Sequence, residues 1–486
     1  MKITFFEPPA IGEKTPERFA GCSYELYHFP NLANLYPFTY LYEEGFDVNY
    51  IDASLENLDE NSFLNKIRAE DADYYVIHSV ILSKKTDLYY LKKIQEIRPS
   101  SKVIFHGPEP TRVPEEYLIP SHPPLEKGGR GGFEVLVFRG EIEKNLIKYL
   151  KEGRLTGVSY LKDGKIIHEP PSEELINLDE LPFPFRNHKV LQPYIKNYFN
   201  PKFRKKPHTI MMTSRGCAFK CLFCVPNSIS FARELEYMKY HDGKKPPVKS
   251  ASAKRVIEEF KAIKEQGFNS VMIVDDQFLW GRNRTLEICR GIKGLDMEWG
   301  CLSRADFLTD EEVVRGMAEA GCVSVDIGVE NLNQDVLDYI QKDLKVENIY
   351  IAIKLLRKYG IEPKLNIMFG TSPNETAQDI KDTIDKLKRL DVSNIMFSIA
   401  TPFKGTKFYT FCKTEGYLID DSDEINPLGK SVVSYPSISR EELEELERYA
   451  YRSFYLRPRT IAKRIKSYHG IKDFINDIKV AINLFK

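Results

Sequence analysis

The sequence predicts an α/β protein with an N-terminal doubly wound, Rossmann-like parallel sheet, a central partial (β/α)6 barrel and a C-terminal helical region. Two observations predict this architecture. Short apolar runs alternate with amphipathic stretches through residues 1–150, and the alternation repeats six times through residues 206–415. Such alternation is typical of parallel sheets whose faces are covered by helices. We expect residues 151–205 to connect the two parts and residues 416–486 to form the helical region.

The overall composition is that of a globular protein with balanced charge. Hydrophobic residues make up 42% of the 486 residues, and Lys+Arg and Asp+Glu both number 70. This balance gives no electrostatic case for nucleic-acid binding. The first residues lack the apolar segment of a secretory signal, and no apolar run approaches membrane-spanning length. Outside one motif the cysteines are scattered singly, unlike a secreted disulfide framework, so we expect a cytoplasmic protein.

Five apolar runs predict the strands of the N-terminal sheet. They are Lys2–Phe6, Val48–Ile51, Tyr74–Val80, Lys102–Phe105 and Val135–Phe138. Ligands of doubly wound sheets bind at the carboxyl ends of the strands. The candidate binding residues at these ends are His78, Ser79, His106, Gly107 and Glu141. For each histidine taken alone, a hydrogen-bonded turn histidine is the alternative interpretation.

Three segments outside the predicted strands have compositions of their own. Residues 121–132 are dense in Gly, Pro and charge and cannot build a core, so we expect an inserted loop there. Within the connector, Asp163-Gly164 predicts a hairpin, and the proline-punctuated run 179–185 predicts a linker between domains.

The central part repeats a strand and a helix six times. The predicted strands are Thr209–Thr213, Ser270–Val274, Met297–Leu302, Ser324–Val329, Lys364–Phe369 and Asn394–Ala400. Six units instead of eight indicate an open, partial barrel. Functional groups of such barrels lie at the C-terminal ends of the strands. The polar candidates at those ends include Asp276, Arg304, Glu330 and the Gly370 turn.

Three cysteines follow the first of these strands at the spacing C-x3-C-x2-C. They are Cys217, Cys221 and Cys224, and Phe223 stands directly before the last. Closely spaced thiolates on one loop are typical ligands of iron–sulfur clusters. Three of them leave the fourth iron of a cubane open to a substrate or cofactor. The alternatives are buried structural cysteines or a zinc site, but zinc normally needs a fourth ligand, and His208, the nearest candidate, lies beyond an apolar run.

The cysteine motif resembles the signature of the radical S-adenosylmethionine (radical SAM) superfamily. The turns of the N-terminal sheet resemble the cobalamin-binding domain of one large class of that family, through Ile77-His-Ser79, Gly107-Pro-Glu-Pro-Thr111 and Arg139-Gly-Glu-Ile-Glu143. There are departures, since His106-Gly107 stands where two glycines are frequent and Asn366 stands where one glycine is frequent. The chain has no D-x-H-x-x-G stretch, so a histidine ligand to cobalt is not expected.

The resemblance implies a [4Fe–4S] cluster, SAM and cobalamin as cofactors. Cys217, Cys221 and Cys224 would be the catalytic metal ligands. The SAM site would include Phe223, Asp276, Arg304, Glu330 and Gly370, and cobalamin would lie at the N-terminal turns. Arg304 would grip the SAM carboxylate, Glu330 would accept from ribose hydroxyls or the amino group, and Gly370 would admit an adenine edge. For Arg304 and Glu330, a salt bridge at the barrel rim is the alternative.

The activity implied by the resemblance is reductive cleavage of SAM to a 5′-deoxyadenosyl radical that functionalises an unactivated carbon, with methyl transfer favoured. The substrate would be a small or lipid-like molecule, and the electron would come from a flavodoxin or ferredoxin. A cobalamin-free cyclase, rearrangement or coupling enzyme is one alternative, and a redox or corrinoid sensor is another. The carboxyl ends of the two sheets are expected to face each other. The apolar stripe at 471–485 would pack on the barrel or contact a membrane surface.

Overall fold

The computed structural model divides the chain into two compact units. The first comprises Met1–Ala218 and Pro226–Trp299, and the second comprises Phe219–Val225 and Gly300–Lys486. The structure describes all residues except 13, 22, 26–27, 119–133, 187–190, 192–197, 199, 423–429 and 468–486. The predicted inserted loop and the predicted terminal stripe therefore lie outside the described residues.

Seven strands of the first unit form the N-terminal sheet, in the order β4-β1-β5-β6-β7-β8-β9. They are β1 (Lys2–Glu7), β4 (Asp47–Asp52), β5 (Tyr74–His78), β6 (Lys102–His106), β7 (Val135–Phe138), β8 (Val158–Lys162) and β9 (Lys165–His168). The first five are parallel and confirm the five predicted strands. A short antiparallel ribbon, β2 (Pro16–Glu17) with β3 (Ser23–Tyr24), stands apart.

The five parallel strands of this sheet are mostly buried on both faces, as their apolar sequences require, whereas β8 and β9 are partly exposed. In β1 every residue after Lys2 is buried. The predicted hairpin joins β8 to β9 through Asp163 and Gly164, whose φ angles of 50° and 74° belong to a two-residue hairpin turn. Because β8 pairs antiparallel with β7, the hairpin continues the sheet as far as His168.

Helices cover the strands of the first unit. They are α1 (Leu32–Glu43), α2 (Glu60–Ala69), α3 (Lys84–Ile97), α4 (Pro108–Arg112), α5 (Pro114–Leu118), α6 (Glu143–Glu152), α7 (Ser228–Tyr240), α8 (Ala253–Glu265) and α9 (Arg282–Ile292). The buried residues Val256, Phe260 and Ile263 of α8 have the predicted helical spacing, and Ser252 caps its first turn.

All six strands predicted for the central part are present. They are β10 (His208–Met211), β13 (Ser270–Ile273), β14 (Glu298–Ser303), β15 (Cys322–Glu330), β16 (Glu362–Phe369) and β17 (Asn394–Ile399). In the first unit β10 pairs parallel with β13, and in the second unit β16 lies parallel between β15 and β17. A two-residue ribbon, β11 (Ser214–Arg215) with β12 (Lys249–Ser250), follows β10.

In β16 and β17 one face is buried more fully than the other. Along β16, Leu365, Ile367 and Phe369 are buried, whereas Lys364 and Asn366 on the opposite face are only half-buried. Successive side chains of a strand point to opposite faces, so this alternation marks one face that is packed and one that is open. The open face is polar, as a ligand-binding surface inside a barrel would be.

The helices of the second unit lie between and after its strands along the chain. They are α10 (Glu311–Glu319), α11 (Gln334–Tyr339), α12 (Val346–Lys358), α13 (Ala377–Arg389), α14 (Lys407–Thr414), α15 (Arg440–Tyr455) and α16 (Pro458–Ser467). The hydroxyls of Tyr451 and Tyr455 on α15 bond to backbone groups of Phe397 and Ile395, which satisfies the outer edge of β17.

The C-terminal helical region begins later than the sequence predicts. Helix was expected from about Gly416, but α15 starts at Arg440, after a capping box formed by Ser439 and Glu442. The described residues before it form only isolated bridges, such as Leu418 with Val433. Aspartates and prolines in this stretch disfavour helix, which explains the later start. In the described part of the chain, no helix combines the length and apolarity needed to cross a membrane.

Candidate active site

The three motif cysteines differ from the other described cysteines in exposure. Cys217, Cys221 and Cys224 are half-buried and form no disulfide, whereas Cys289, Cys301, Cys322 and Cys412 are buried. Burial raises the pKa of Cys289 to about 12 and that of Cys412 to about 11, so these thiols stay protonated and are poor metal ligands. The motif cysteines are therefore the thiols suited to bind iron.

The zinc alternative finds no support at His208. His208 is the first residue of β10, where its Nδ1 lies 3.0 Å from Ser270 Oγ of β13 and its ring stacks on Phe203. Burial lowers its pKa to about 3. The described residues also contain no group of three or more His, Cys, Asp or Glu side chains arranged around a single metal ion. A [4Fe–4S] cluster spreads its thiolates over several irons and does not need that geometry.

Two adjacent aspartates after β13 hold both ends of the cysteine loop. Before the loop, Asp275 accepts hydrogen bonds from Thr213 N, Thr213 Oγ1 and Ser214 Oγ at 2.5, 2.6 and 2.8 Å. After it, Asp276 Oδ1 accepts from the backbone and side-chain nitrogens of Asn227 at 2.8 and 3.1 Å. Burial raises the pKa of both carboxyl groups, that of Asp275 to about 6. Asp276, predicted to bind cofactor, thus fixes the loop.

Glu141, predicted to bind cobalamin, also holds the loop. Its Oε1 accepts from Arg215 Nη1 at 2.7 Å, and its Oε2 accepts from Ile176 N at 3.1 Å. Arg215 Nη2 donates to Glu143 Oε1 at 2.5 Å. Lys239 of α7 donates to the carbonyl of Thr111 at 2.8 Å. Within the first unit, the carboxyl-end turns of the N-terminal sheet therefore contact the segments that follow β10.

The other candidates at the N-terminal turns are buried and internally bonded. His106 Nε2 lies 3.0 Å from Asn34 Oδ1, and the His78 and His106 rings are 4.9 Å apart. Burial lowers the pKa of His106 to about 3 and that of His78 well below its usual value, so both are neutral. Ser79 donates to Asp87 at 2.5 Å. These contacts favour the turn-histidine alternative for both rings.

Gly107 has a φ of 110° and leaves no room for a side chain. A Cβ there would lie 2.5 Å from Ser79 O and 2.7 Å from His78 Cδ2. The glycine is thus required by the backbone of its own turn.

A small cavity lies at this edge, between the turns and α7. Its volume of about 10 Å³ holds roughly one water molecule. His78, Glu143 and Ser228 line it, and each has a buried polar atom without a hydrogen-bond partner: Nε2, Oε2 and Oγ respectively. A single water molecule could supply the donors and acceptors that these atoms need. The cavity is too small for a corrin ring or for one of its amide side chains.

In the second unit, the middle of the cysteine loop contacts residues beyond β14 and β15. The Arg304 guanidinium stacks on the Phe219 ring at 3.5 Å from its centroid, and Leu222 N donates to Ile340 O at 2.9 Å. The Phe223 ring, predicted to lie beside adenine, has Lys342 Nζ 5.9 Å from its centroid. Cation–π contacts at these distances fix the aromatic rings of the loop.

Arg304 uses all three of its side-chain nitrogens within the protein. Nε donates to Asp306 Oδ1 at 3.0 Å, Nη1 donates to Lys342 O and Nη2 donates to Asp343 O, both at 2.6 Å. The side chain is buried, with 6% of its residue surface exposed. A SAM carboxylate would have to displace these acceptors, so the geometry favours the salt-bridge alternative that the sequence leaves open.

Glu330 pairs with Lys342, a residue that sequence reasoning missed. Lys342 Nζ lies 2.9 Å from Glu330 Oε1, and both residues are 6% exposed. Burial opposes the charge on Lys342, but Glu330 and then Cys221 raise its pKa above the usual lysine value. The backbone of Glu330 is at φ 65°, which is strained for a residue with a side chain. Strain at a buried carboxylate is typical of a functional site.

The Gly370 turn is held by its own neighbours. Gly370 N donates to Glu375 Oε2 at 2.7 Å, and its carbonyl accepts from the Tyr435 hydroxyl at 2.8 Å. Gly370 is at φ 68°, and a Cβ there would lie 3.1 Å from Leu443 Cδ1. Both backbone polar groups are occupied, so the glycine serves the turn and adenine would need other donors.

Comparison with known proteins shows the family to which the chain belongs. The profile of the Radical SAM superfamily matches residues 211–387. A Pyrococcus horikoshii protein named uncharacterized methyltransferase PH0819 is 30% identical over 478 residues, which is 97% of this chain and 96% of that protein. The chain belongs to the radical SAM superfamily. It is a radical SAM enzyme, which confirms the family that the cysteine spacing suggests.

Two further proteins are similar to most of the chain. The anaerobic magnesium-protoporphyrin IX monomethyl ester cyclase of Rubrivivax gelatinosus is 23% identical and covers 86% of this chain and 72% of its own length. The methyltransferase TsrM of Kitasatospora setae, solved with cobalamin and a [4Fe-4S] cluster, has a TM-score of 0.64 and 16% identity, and covers 93% of this chain and 81% of its own. The likeness to TsrM confirms the predicted fold class.

Proposed function

We propose that this radical SAM enzyme transfers a methyl group to an unactivated carbon of a small or lipid-like molecule, with cobalamin as a second cofactor. The relative from P. horikoshii is a named methyltransferase matched over nearly its whole length. TsrM, whose fold this chain shares, was solved with both a cluster and cobalamin. The predicted boundaries at residues 150, 205 and 415 and a flavodoxin or ferredoxin electron donor belong to the same proposal.

The residues of this chain bind and orient the reactants. Cys217, Cys221 and Cys224 would hold the cluster, which supplies the electron for SAM cleavage when bound. Lys342 would bind the carboxylate of SAM, and Glu330 would accept from its amino group or ribose hydroxyls. The Glu330–Lys342 pair suits this task because it is buried, and charged contacts are stronger away from water. Phe223 would cover the adenine.

The site must also confine a reactive radical. A primary carbon radical abstracts hydrogen from most C–H bonds, so only an oriented, water-free cavity restricts the reaction to one carbon. The polar, half-buried face of β16, with Lys364 and Asn366, offers a surface for such a substrate. Asn366 Oδ1 is buried without a hydrogen-bond partner, so a bound molecule with a donor group would satisfy it.

The single observation that carries the proposal is the set of three half-buried thiols on one anchored loop. Anaerobic reconstitution with iron, sulfide and cobalamin tests it. We expect a reduced cluster visible by electron paramagnetic resonance, SAM-dependent 5′-deoxyadenosine, and a corrinoid retained through gel filtration. A protein that forms deoxyadenosine but retains no corrinoid would move the enzyme to the cobalamin-free alternative.

The cyclase activity of that second candidate is supported by one observation. The Rubrivivax relative is a cyclase and aligns with 86% of this chain. The two candidates differ in the fate of the SAM methyl group. Isotope-labelled SAM methyl would appear in the product of a methyltransferase and would remain in methionine for a cyclase.

A further inference from the structure

The segment that enters the cysteine loop is held residue by residue. Thr213 and Ser214 are bonded to Asp275, as described above. Gly216 N donates to Ser230 Oγ of α7 at 3.0 Å. Gly216 has a φ of 90°, and a Cβ there would lie 3.0 Å from Arg233 Nη1, so its conformation is fixed as well. Between these anchors stands Arg215, directly before the Gly216-Cys217 pair.

Arg215 is tied to the N-terminal sheet and not to the strands of the central part. Its residue surface is 0% exposed, and its two terminal nitrogens reach Glu141 and Glu143, which follow β7. Its guanidinium also lies 5.5 Å from the centroid of the Tyr36 ring on α1. A planar guanidinium can bridge two carboxylates in fixed directions, which a lysine cannot do.

The surroundings of Arg215 form a balanced, buried charge network. Arg233 Nη1 donates to Arg215 O at 3.1 Å, and Arg233 Nη2 donates to Pro247 O at 2.6 Å. Nearby, Arg139 Nη2 lies 3.2 Å from Glu236 Oε1, with both side chains at most 5% exposed. Three arginines thus face three glutamates. Buried charges of this kind add little net stability but specify one arrangement of the chain.

We propose that Arg215 is a positioning residue for the cluster, through which the N-terminal domain forms part of the cluster site. With Glu141 and Glu143 holding the fork, the backbone that carries Cys217 cannot shift without breaking two buried ion pairs. This inference rests on the proposed cluster at the three cysteines. It gives Glu141 a role in the cluster site that does not depend on cobalamin.

The test compares Arg215→Lys and Glu143→Gln with a matched control, Arg186→Lys. Arg186 is also buried in the first unit, and its side chain donates to Glu259, Pro184 O and Ile210 O of β10, not to residues 213–224. Each full-length protein is reconstituted anaerobically with ferrous iron and sulfide. The measurements are thermal midpoint, iron and sulfide per chain, and the resonance signal of the reduced cluster before and after addition of SAM.

We expect Arg215→Lys and Glu143→Gln to lose at least half of the bound iron or to show an altered resonance signal with SAM. Arg186→Lys should lower the thermal midpoint by a similar amount while keeping the wild-type cluster. Wild-type iron and an unchanged signal in both loop variants would overturn the inference. If Arg215→Lys does not fold, Glu141→Gln replaces it, since that variant leaves the Glu143 pair intact. A wild-type protein that binds no iron would instead refute the proposed cluster.

Discussion

Each unit contains a buried assembly of paired charges, and the two assemblies differ in how the charges are paired. In the first unit Arg215 donates to two carboxylates, Glu141 and Glu143, on a segment next to the first cysteine. In the second unit Glu330 faces one lysine, Lys342, from a backbone at φ 65°. In the first assembly the cation, Arg215, has two carboxylate partners. In the second assembly the carboxylate, Glu330, has one cationic partner, and its backbone is strained.

The difference separates residues that hold the loop from residues suited to bind a ligand. The Arg215 guanidinium donates to two protein carboxylates, so few of its N–H groups remain for a cofactor. The same holds for Arg304, whose nitrogens donate to Asp306 and to the carbonyls of Lys342 and Asp343. A strained carboxylate with one cationic partner keeps lone pairs for a ligand, and strain of this kind clusters at functional sites. We therefore propose Glu330 and Lys342 for the SAM site, and Arg215 and Arg304 as residues that position the loop.

The largest expected effect comes from removing one thiol of the cysteine motif. Cys221→Ala should abolish the broad visible absorbance of the cluster and SAM cleavage, because two thiolates do not hold a cubane firmly. Deoxyadenosine formation under a strong reductant is the measurement. Cys412→Ala, which changes a buried cysteine outside the loop, should keep both properties. Cleavage of SAM by the Cys221→Ala protein at the wild-type rate would contradict the cluster assignment.

Removing one partner of the Glu330–Lys342 pair tests the ligand-binding side of the comparison. Glu330→Gln and Lys342→Met should each weaken SAM binding by roughly 2–5 kcal/mol, since a buried charge loses its partner and the ligand loses a contact. Equilibrium dialysis with SAM is the measurement. The matched control is Lys364→Met, whose side chain pairs with Asp326 at 3.0 Å on neighbouring strands of the same unit. Equal SAM affinity in all four proteins would remove both residues from the site.

Changing Arg304 tests whether this residue positions the cysteine loop. Arg304→Lys should lower the free energy of unfolding by about 1–3 kcal/mol, because it loses the bidentate contact to the carbonyls at 342 and 343 and the stacking on Phe219. The loss of SAM affinity should be smaller than in Lys342→Met. Denaturant unfolding and SAM dialysis on the same preparation decide this. A variant as stable as wild type that fails to bind SAM would return Arg304 to the binding role.

The smallest expected effect is a pH dependence of stability caused by Glu447 on α15, a buried carboxylate that belongs to neither assembly. Burial, opposed in part by Arg448, raises its pKa from an ordinary 4.5 to about 7. The folded protein therefore holds this proton more tightly than the unfolded chain, and the stability so gained is lost as pH rises through 7. Linkage predicts that wild type loses about 1 kcal/mol more than Glu447→Gln between pH 6 and pH 8. Thermal unfolding at both pH values measures it, with exposed Glu445→Gln as the control.

Local pattern was enough to place the elements of this protein. Val135–Phe138 is predicted and found with identical bounds, and the Asp163-Gly164 turn closes the predicted hairpin. Both signals depend on neighbouring residues only, namely an apolar run and a pair of residues that tolerate positive φ. The late start of helix at Arg440 shows the limit, since the stretch before it has apolar residues but no helical period to measure.

The sequence alone determined the strand–helix order and the cysteine spacing, because each is written in residues that lie close together along the chain. Only the tertiary structure decided which charged residue serves which task. Lys342 meets Glu330 after a separation of 12 residues, and Arg215 meets Glu141 after 74. No local period signals such pairs, because side chains on different elements become neighbours only when the elements pack. That packing also gives the Arg304 guanidinium its protein acceptors and leaves the Glu330 backbone strained. This difference distinguishes the residues proposed to hold the cysteine loop from those proposed to bind SAM.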